Sequence, residues 1–383
     1  MEELTTEAPK ESFPRRAARS RTVRTAVVAG LVGALFGAGV IAWTGTPFRD
    51  AEAAPCWGSF GEETMTSLFG EQKIRNEEQR LERRRGDLTY GECRVTGLRE
   101  HGIGNQVTVR VHELDGLYGL DGHRWPQEFL AGDMSALGKG LTGMASGSHA
   151  WLALPASCTG KPRPDSSEAA TVVDVSMGRG GPMGDAEDEK QGKFRAALAR
   201  AVVEAGNGAM RALGCTASFP EAPASLPPSD TEERPENEPI CGVKGLSLPA
   251  GYTETGSKRP LRWQRIAGEG GSVRICEAGA LLPGMDLRLT TVTEPGLVNL
   301  FTKSFLHGGT RVEGDKGGYG AVNANRAAYW AECPSGPVVY LVEQIRAIDG
   351  HSFDLTGALL PAYVKGEAER IGCGPETLRP PTT

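Results

Sequence analysis

The hydrophobic pattern of the chain changes character near residue 45. Between Thr25 and Trp43 the sequence TAVVAGLVGALFGAGVIAW contains no charged residue, and nineteen residues at about 1.5 Å each form a helix of about 28 Å, which matches a bilayer core. Further on, segments such as NQVTVRVHEL, from Asn105, alternate apolar and polar residues, as strands do. Together with segments of helical spacing, they predict an α+β protein with mainly antiparallel sheets and packed helices. The predicted helices cover 62–85, 189–213 and 352–371, with shorter ones near 126–137 and 295–305.

Charges around the apolar segment indicate its orientation. Five arginines and no acid lie between Arg15 and Arg24, and basic residues that flank a membrane segment stay in the cytoplasm. We therefore expect a cytoplasmic tail at 1–24, a single transmembrane anchor at 25–45, and an extracytoplasmic remainder at the cell membrane. The alternative is a signal peptide cleaved after Ala51-Glu52-Ala53, which would leave the same remainder in secreted form.

A phrase that occurs twice indicates how the exported part is organised. SHAWLALPASCTG begins at Ser148 and RAAYWAECPSGP at Arg326, and each places tryptophan and alanine before a cysteine. Two segments with helical spacing, ending at Cys215 and Cys373, both finish on Gly-Cys. These matches predict a tandem duplication. Its two extracytoplasmic repeats would cover 54–217 and 240–374.

The segment between the predicted repeats differs in composition. SFPEAPASLPPSDTEERPENEP, at 218–239, has six prolines, many acids and few apolar residues. This composition is typical of an extended, solvated linker. The final residues, 375–383, are predicted to form a loose tail.

Eight cysteines follow the predicted anchor. An even number outside the cytoplasm indicates a disulfide framework, and no pair has the CxxC spacing that would favour zinc. Four cysteines in each repeat allow three pairings, of which we favour the sequential one because it ties each final helix to a strand. The predicted disulfides are Cys56–Cys93, Cys158–Cys215, Cys241–Cys276 and Cys333–Cys373.

Charge and motifs argue against several functions. The net charge is −6 although the first 24 residues are basic, so the exported part is acidic and a poor partner for nucleic acid. GKGLTG, at 138–143, matches a dinucleotide-binding motif, but it follows a helical pattern where the motif needs a strand. We expect no cofactor.

Two catalytic alternatives stay open at the level of sequence. His112, Glu113, Asp121 and His123 are of types that bind metal ions, although HELDGL lacks the second histidine of H-E-x-x-H. An exported hydrolase would draw polar residues from separate loops, with His112 or His123 among them. Ordinary loop and strand histidines explain the same pattern, so we assign no catalytic and no metal-binding residue.

One loop is the stronger candidate for a binding surface. DGLYGLDGHRWPQEF, at 115–129, combines glycine-rich turns with aromatic residues, and the second repeat has no equivalent sequence. Loop-borne aromatic residues on a stapled scaffold often make contacts, whereas burial over the sheet is the alternative. The candidate binding residues are Tyr118, His123, Trp125 and Phe129.

The layout resembles that of exported envelope proteins of unknown function in actinobacteria. Those proteins have a membrane or lipid anchor, a proline-rich linker and small disulfide-bearing α+β domains, which open on a cysteine as Pro55-Cys56 and Ile240-Cys241 do here. Such families supply no catalytic residues to carry over. The duplicated, disulfide-stapled scaffold without a catalytic constellation predicts a non-catalytic, membrane-anchored protein that binds or senses an envelope protein or cell-wall ligand outside the cytoplasm, with residues 25–45 in the membrane. The alternatives are an accessory component of an envelope or secretion machine and an exported hydrolase.

Overall fold

The computed structural model groups residues 54–383 into one compact unit. Residues 1–53, with the predicted tail and anchor, lie outside the described residues. The described residues are 54–83, 89–113, 129–138, 140–159, 171–178, 188–226, 231–233, 238–249, 261–280, 285–295, 297–298, 309–323, 325–345 and 355–379.

Three helices of eight or more residues occur in the described part: α1 (Glu62–Phe69), α2 (Asp188–Ala212) and α3 (Leu355–Arg370). The predictions for α2 and α3 are confirmed. The predicted helix at 62–85 is wrong beyond Phe69, because Gly70 leaves the helical region with φ 59° and ψ −135°, a conformation that is open to glycine. Lys73–Glu78 then form a strand. The short helix predicted near 126–137 is wrong at Ser135–Ala136, which form a strand.

The strands follow one another in long runs between these helices. Within the described residues they are β1 (Lys73–Glu78), β2 (Glu82–Arg83), β3 (Thr89–Arg99), β4 (Gly102–Glu113), β5 (Ser135–Ala136), β6 (Gly143–Ala145), β7 (His149–Ala153), β8 (Thr171–Met177), β9 (Thr231–Glu233), β10 (Trp263–Ala267), β11 (Val273–Gly279), β12 (Leu287–Val292), β13 (Thr310–Gly314), β14 (Tyr319–Val322), β15 (Arg326–Cys333), β16 (Gly336–Gln344) and β17 (Leu378–Arg379).

The strands form two antiparallel sheets, as predicted. Sheet 1 has the order β1-β3-β4-β8-β7-β6-β5, with β2 also paired to β3. Sheet 2 has the order β17-β13-β14-β15-β16-β12-β11-β10-β9. Without its two edge strands β17 and β9, sheet 2 read from its β10 end has the order β10-β11-β12-β16-β15-β14-β13. Taken in chain order, these seven strands are arranged as β1, β3, β4, β8, β7, β6 and β5 are in sheet 1.

Four disulfides hold the helices and opening turns to the sheets. They have the sequential pairing that the sequence analysis favours, and two of them fasten the ends of α2 and α3. The pairs are Cys56–Cys93, Cys158–Cys215, Cys241–Cys276 and Cys333–Cys373.

Both halves open on a cysteine in the left-handed conformation, with φ 57° at Cys56 and 58° at Cys241. Each opening turn lies against a glycine of the helix that covers its sheet. A Cβ at Gly208 of α2 would lie 2.5 Å from the Cβ of Ser59, and one at Gly366 of α3 would lie 2.5 Å from a methyl group of Val243. The helices approach the opening turns this closely because these positions have no side chain.

Each sheet has two buried faces, and alternate residues of its strands serve different cores. In β8, Val173 and Val175 belong to the core beneath α2, whereas Val172 joins a core that also contains Ile275 and Val339 of sheet 2. Leu289 of β12 belongs to the third core, beneath α3. The layers therefore run helix, sheet, sheet, helix. We call the core between the sheets the seam.

Parts of the predicted linker at 218–239 contact the folded core. Phe219 packs against the core of sheet 1 and its N–H donates to Asn207 Oδ1 at 2.7 Å. Leu226 is buried in the same core. Thr231–Glu233 then form β9 at the edge of sheet 2. The domain boundaries at 217 and 240 stay predictions.

Candidate functional site

Of the four candidate binding residues, the structure describes one. Tyr118, His123 and Trp125 lie outside the described residues. Phe129 is 5% exposed and belongs to the seam. The predicted loop at 115–129 therefore ends on a buried aromatic side chain, Phe129. The residues between the end of β4 and Phe129, which lie outside the described part, are called segment 114–128.

Phe129 is held in place by aromatic and polar contacts. Its ring packs edge-on against Trp151 and His149, with centroids 5.8 Å and 5.2 Å away. Trp151 Nε1 donates a hydrogen bond to the Phe129 carbonyl oxygen at 2.7 Å. Because Trp151 is fully buried in β7, the downstream end of the candidate segment is fixed to sheet 1.

Two histidines converge on one carboxylate beside Phe129. His149 Nε2 lies 2.8 Å from Asp174 Oδ1, and His112 Nε2 lies 3.5 Å from Asp174 Oδ2. These residues come from β7, β8 and β4, which are neighbours in sheet 1. Asp174 is 6% exposed, while the histidine side chains are 17% and 27% exposed. The group, which we call the His-Asp-His cluster, thus has a buried acid and two rings that solvent reaches.

Burial and hydrogen bonding act on Asp174 in opposite directions. Burial would raise the pKa of its carboxyl, but the hydrogen bonds and charges of His112 and His149 outweigh burial and lower the pKa to about 2. Asp174 is therefore ionised at neutral pH, and an ionised carboxylate only accepts hydrogen bonds. His149 Nε2 must then carry a hydrogen, and this N–H donates a hydrogen bond to Asp174 Oδ1, which fixes the orientation of the ring.

A row of paired charges crosses the face of sheet 2 that borders the seam. Arg288 lies between two acids, with Nη2 2.9 Å from Glu277 Oε1 and Nη1 3.7 Å from Glu343 Oε2. Arg326 Nη2 is 2.8 Å from the other oxygen of Glu343. All four residues are at least 94% buried, and they come from four adjacent strands. We call this row the charge ladder.

The segment after Phe129 reaches the end of the charge ladder. Gly132 N–H donates to Glu277 Oε1 at 2.8 Å, and a Cβ at this glycine would lie 2.6 Å from Glu277 Cδ. Burial raises the pKa of the neighbouring Asp133, and the negative charge of Glu277 raises it further. Residues of both halves therefore share one electrostatic environment at the seam.

His149 and Asp174 were missed by the sequence analysis. The signal for Asp174 is a single acid inside the apolar run TVVDVSM, since a charge in a buried strand needs a partner. His149 lies two residues before Trp151 in β7, so both side chains are on the seam face. Their convergence depends on the order β4-β8-β7, which a single sequence does not give.

The structure bears on the metal alternative only through His112, whose imidazole contacts Asp174. Asp121 and His123 lie outside the described residues, as does the side chain of Glu113. In the described ranges, no group of three or more His, Cys, Asp or Glu residues is arranged to hold a metal ion.

Comparisons with protein-family models, curated proteins and solved structures found no match. The described part of the chain contains no helix with the length and apolar character needed to cross a bilayer. The predicted anchor at 25–45 lies outside that part.

Proposed function

We propose that the chain is a membrane-anchored, extracytoplasmic binding protein of the bacterial envelope, and that its ligand contacts segment 114–128. The observation that carries this proposal is the attachment of that segment to a stapled scaffold. The segment follows Glu113, the last residue of β4, and precedes Phe129, which is buried at the seam. Binding residues often lie on loops whose ends a rigid scaffold fixes.

The His-Asp-His cluster gives the proposed site a polar side. His112 is the last residue but one of β4, so it lies two residues before the first residue of segment 114–128 in sequence. We propose that the imidazole rings of the cluster contact the ligand together with the aromatic residues Tyr118 and Trp125. A surface that combines aromatic rings with a few fixed polar groups suits a glycan or peptide of the envelope.

We further propose that the two halves arose by tandem duplication. The matching strand orders support this, as do the two opening cysteines with positive φ. The ends of α2 and α3 also agree: Cys215 N–H bonds to the carbonyl of Met210, and Cys373 N–H to that of Ala368, each after a glycine with φ near 77°. Under this proposal, segment 114–128 is a feature acquired by one copy.

The test is a thermal-stability screen of the oxidised protein against glycan, lipid and peptide fractions of the envelope. A ligand at 100 times its Kd would stabilise the folded state by about 2.7 kcal/mol. The double variant Tyr118→Ala/Trp125→Ala should lose this shift. Ile103→Ala, which changes an exposed residue of β4, should keep it.

Two results would count against the proposal: no fraction raises the melting temperature, or the double variant responds as the wild type does. A partner that co-purifies with the loop variant, but is lost when residues 1–45 are removed, would favour the accessory role.

A further inference from the structure

The outer side of β1 is an open strand edge. β1 pairs with β3 on one side, and no described strand pairs with its other side. All six of its residues are exposed. Such an edge presents unpaired backbone N–H and C=O groups, which are a template for another strand.

Sheet 2 shows what fills the equivalent edge. Glu78 of β1 lies opposite Cys93, and Ile266 of β10 lies opposite Cys276, so the two disulfides align β1 with β10. In sheet 2 the outer side of β10 is covered by β9, with Gln264 opposite Glu232. Gln264 Nε2 also donates to Glu232 Oε1 at 2.6 Å.

The backbone hydrogen bonds of β1 show which residues face outward. Gln79 N–H donates to the Glu92 carbonyl at 2.8 Å, which continues the register of β1 with β3. Because hydrogen-bonded pairs alternate along an antiparallel strand, the residues that direct their backbone groups away from β3 are Ile74, Asn76 and Glu78.

We propose that β1 pairs antiparallel with β1 of a second copy of this chain, with Asn76 facing Asn76 at a two-fold axis. Ile74 of each copy then lies opposite Glu78 of the other, and the three outward residues of each strand supply about six backbone hydrogen bonds. A two-fold dimer is the commonest closed assembly, and its interface is self-complementary.

Charge complementarity favours a second copy in this register. Arg75 lies opposite Glu77 of the other copy, on both sides of the axis. In one chain Arg75 Nε is 3.2 Å from Glu77 Oε1, with side chains 58% and 53% exposed, so both charges are at the surface and within reach of a partner. A register in which Arg75 faces Arg75 would set like charges opposite, which is destabilising.

The test is sedimentation equilibrium of the full chain in detergent, with charge variants of β1. Arg75→Glu and Glu77→Arg should each raise the dimer dissociation constant at least tenfold. The double variant Arg75→Glu/Glu77→Arg should restore it, because each base again faces an acid. Lys193→Glu is the matched control, since it breaks another exposed ion pair, on α2, and should leave dimerisation unchanged.

Ile74→Pro gives an independent test because it removes an outward N–H that β3 does not use. Proline is tolerated at edge positions of this kind, so the dimer should be lost with little change in melting temperature. If this variant does not fold, the charge variants still decide. A wild type that stays monomeric, or a dimer that none of the single charge variants weakens, would overturn the proposal.

Discussion

Asp174 is a charged residue between two buried valines of β8. Its neighbours Val173 and Val175 face the core beneath α2, while its own side chain faces the seam. A buried carboxylate is costly unless it is paired, and here two imidazoles from neighbouring strands supply the pairing. The stability of the folded state should therefore depend on whether the Asp174 carboxyl is ionised.

The pH dependence of stability should reveal this carboxyl. Its pKa is about 2 in the folded chain, against an ordinary value of 3.8 for an aspartic acid side chain. A lowered folded pKa stabilises the fold above the unfolded pKa, and that stabilisation is lost as pH falls through the folded pKa. We expect Asp174 to account for a loss of about 2 kcal/mol in the free energy of unfolding between pH 5 and about pH 2.

Urea unfolding at a series of pH values measures this loss. Asp174→Asn should be less stable than the wild type at pH 6, and the two should converge as the wild-type carboxyl is protonated. Glu313→Gln, at a carboxylate that is 57% exposed, serves as control and should follow the wild type. Parallel profiles for Asp174→Asn and the wild type at all pH values would contradict the assignment.

At the scale of elements, two glycines decide how closely the helices approach the opening turns. We expect Gly208→Ala and Gly366→Ala each to lower the free energy of unfolding by about 1–3 kcal/mol, because the new methyl group overlaps Ser59 or Val243. Gly192→Ala is the control in the same helix as Gly208. It meets no atom within 4 Å, so helix propensity should make it more stable by up to about 1 kcal/mol. Chemical denaturation of the three variants measures these changes.

The disulfide at the end of α2 should contribute through the unfolded chain. Cys158–Cys215 closes a separation of 57 residues, and the chain-entropy estimate for this loop is about 4 kcal/mol. We expect Cys158→Ala/Cys215→Ala to lose stability of this order while α2 stays folded, as seen by circular dichroism. A variant as stable as the wild type would show that the unfolded chain is already compact without the bridge.

Much of the element structure follows from the sequence, and its failures have physical causes. The alternating segments give β3, β4, β7 and β8, and the Gly-Cys endings give α2 and α3. The helix predicted at 62–85 fails because the run RNEEQRLERRR is charged on every side. It therefore has no apolar face to hold it as a helix, and its first residues pair with β3.

The repeated tryptophan phrase predicted related strands, but not their register. Gly143 of β6 lies opposite Leu152 of β7, and Gly320 of β14 lies opposite Tyr329 of β15. If the two glycines are matched, Leu152 corresponds to Tyr329, and Trp151 therefore corresponds to Ala328. Trp330 thus lies two residues further along on the same face. Similar sequence segments can therefore lie on equivalent strands of the two sheets without lying at equivalent positions. What the two tryptophans share is the seam face of their strands.

At the scale of the whole molecule, the seam couples the two sheets. No sequence pattern predicted it, because the seam face of sheet 2 carries charged residues such as Arg288 and Glu343, which in a sequence are typical of a solvent-exposed face. The charge ladder lies on this face, and Gly132 joins it to the first half. We therefore expect residues 54–383 to unfold as one cooperative unit.

Arg288→Met tests this coupling. It leaves Glu277 and Glu343 buried without their shared cation, which should cost about 3–5 kcal/mol. Single-tryptophan variants that keep Trp151 or Trp330 should report the same shifted unfolding midpoint. Arg311→Met, at a side chain that is 76% exposed, should change stability by less than about 0.5 kcal/mol. Separate midpoints for the two tryptophans would show that the halves unfold independently.

The layering also sets how fast solvent protons enter the backbone. β12 is buried along its whole length and has a neighbouring strand on each side and a packed layer on each face, so its amides can exchange with deuterium only when the whole unit opens. No described strand covers the outward amides of β1 in a single copy, so we expect them to exchange without any opening of the unit. The order of the strands therefore predicts that deuterium uptake is fastest at β1, at the edge of sheet 1, and slowest at β12, in the centre of sheet 2.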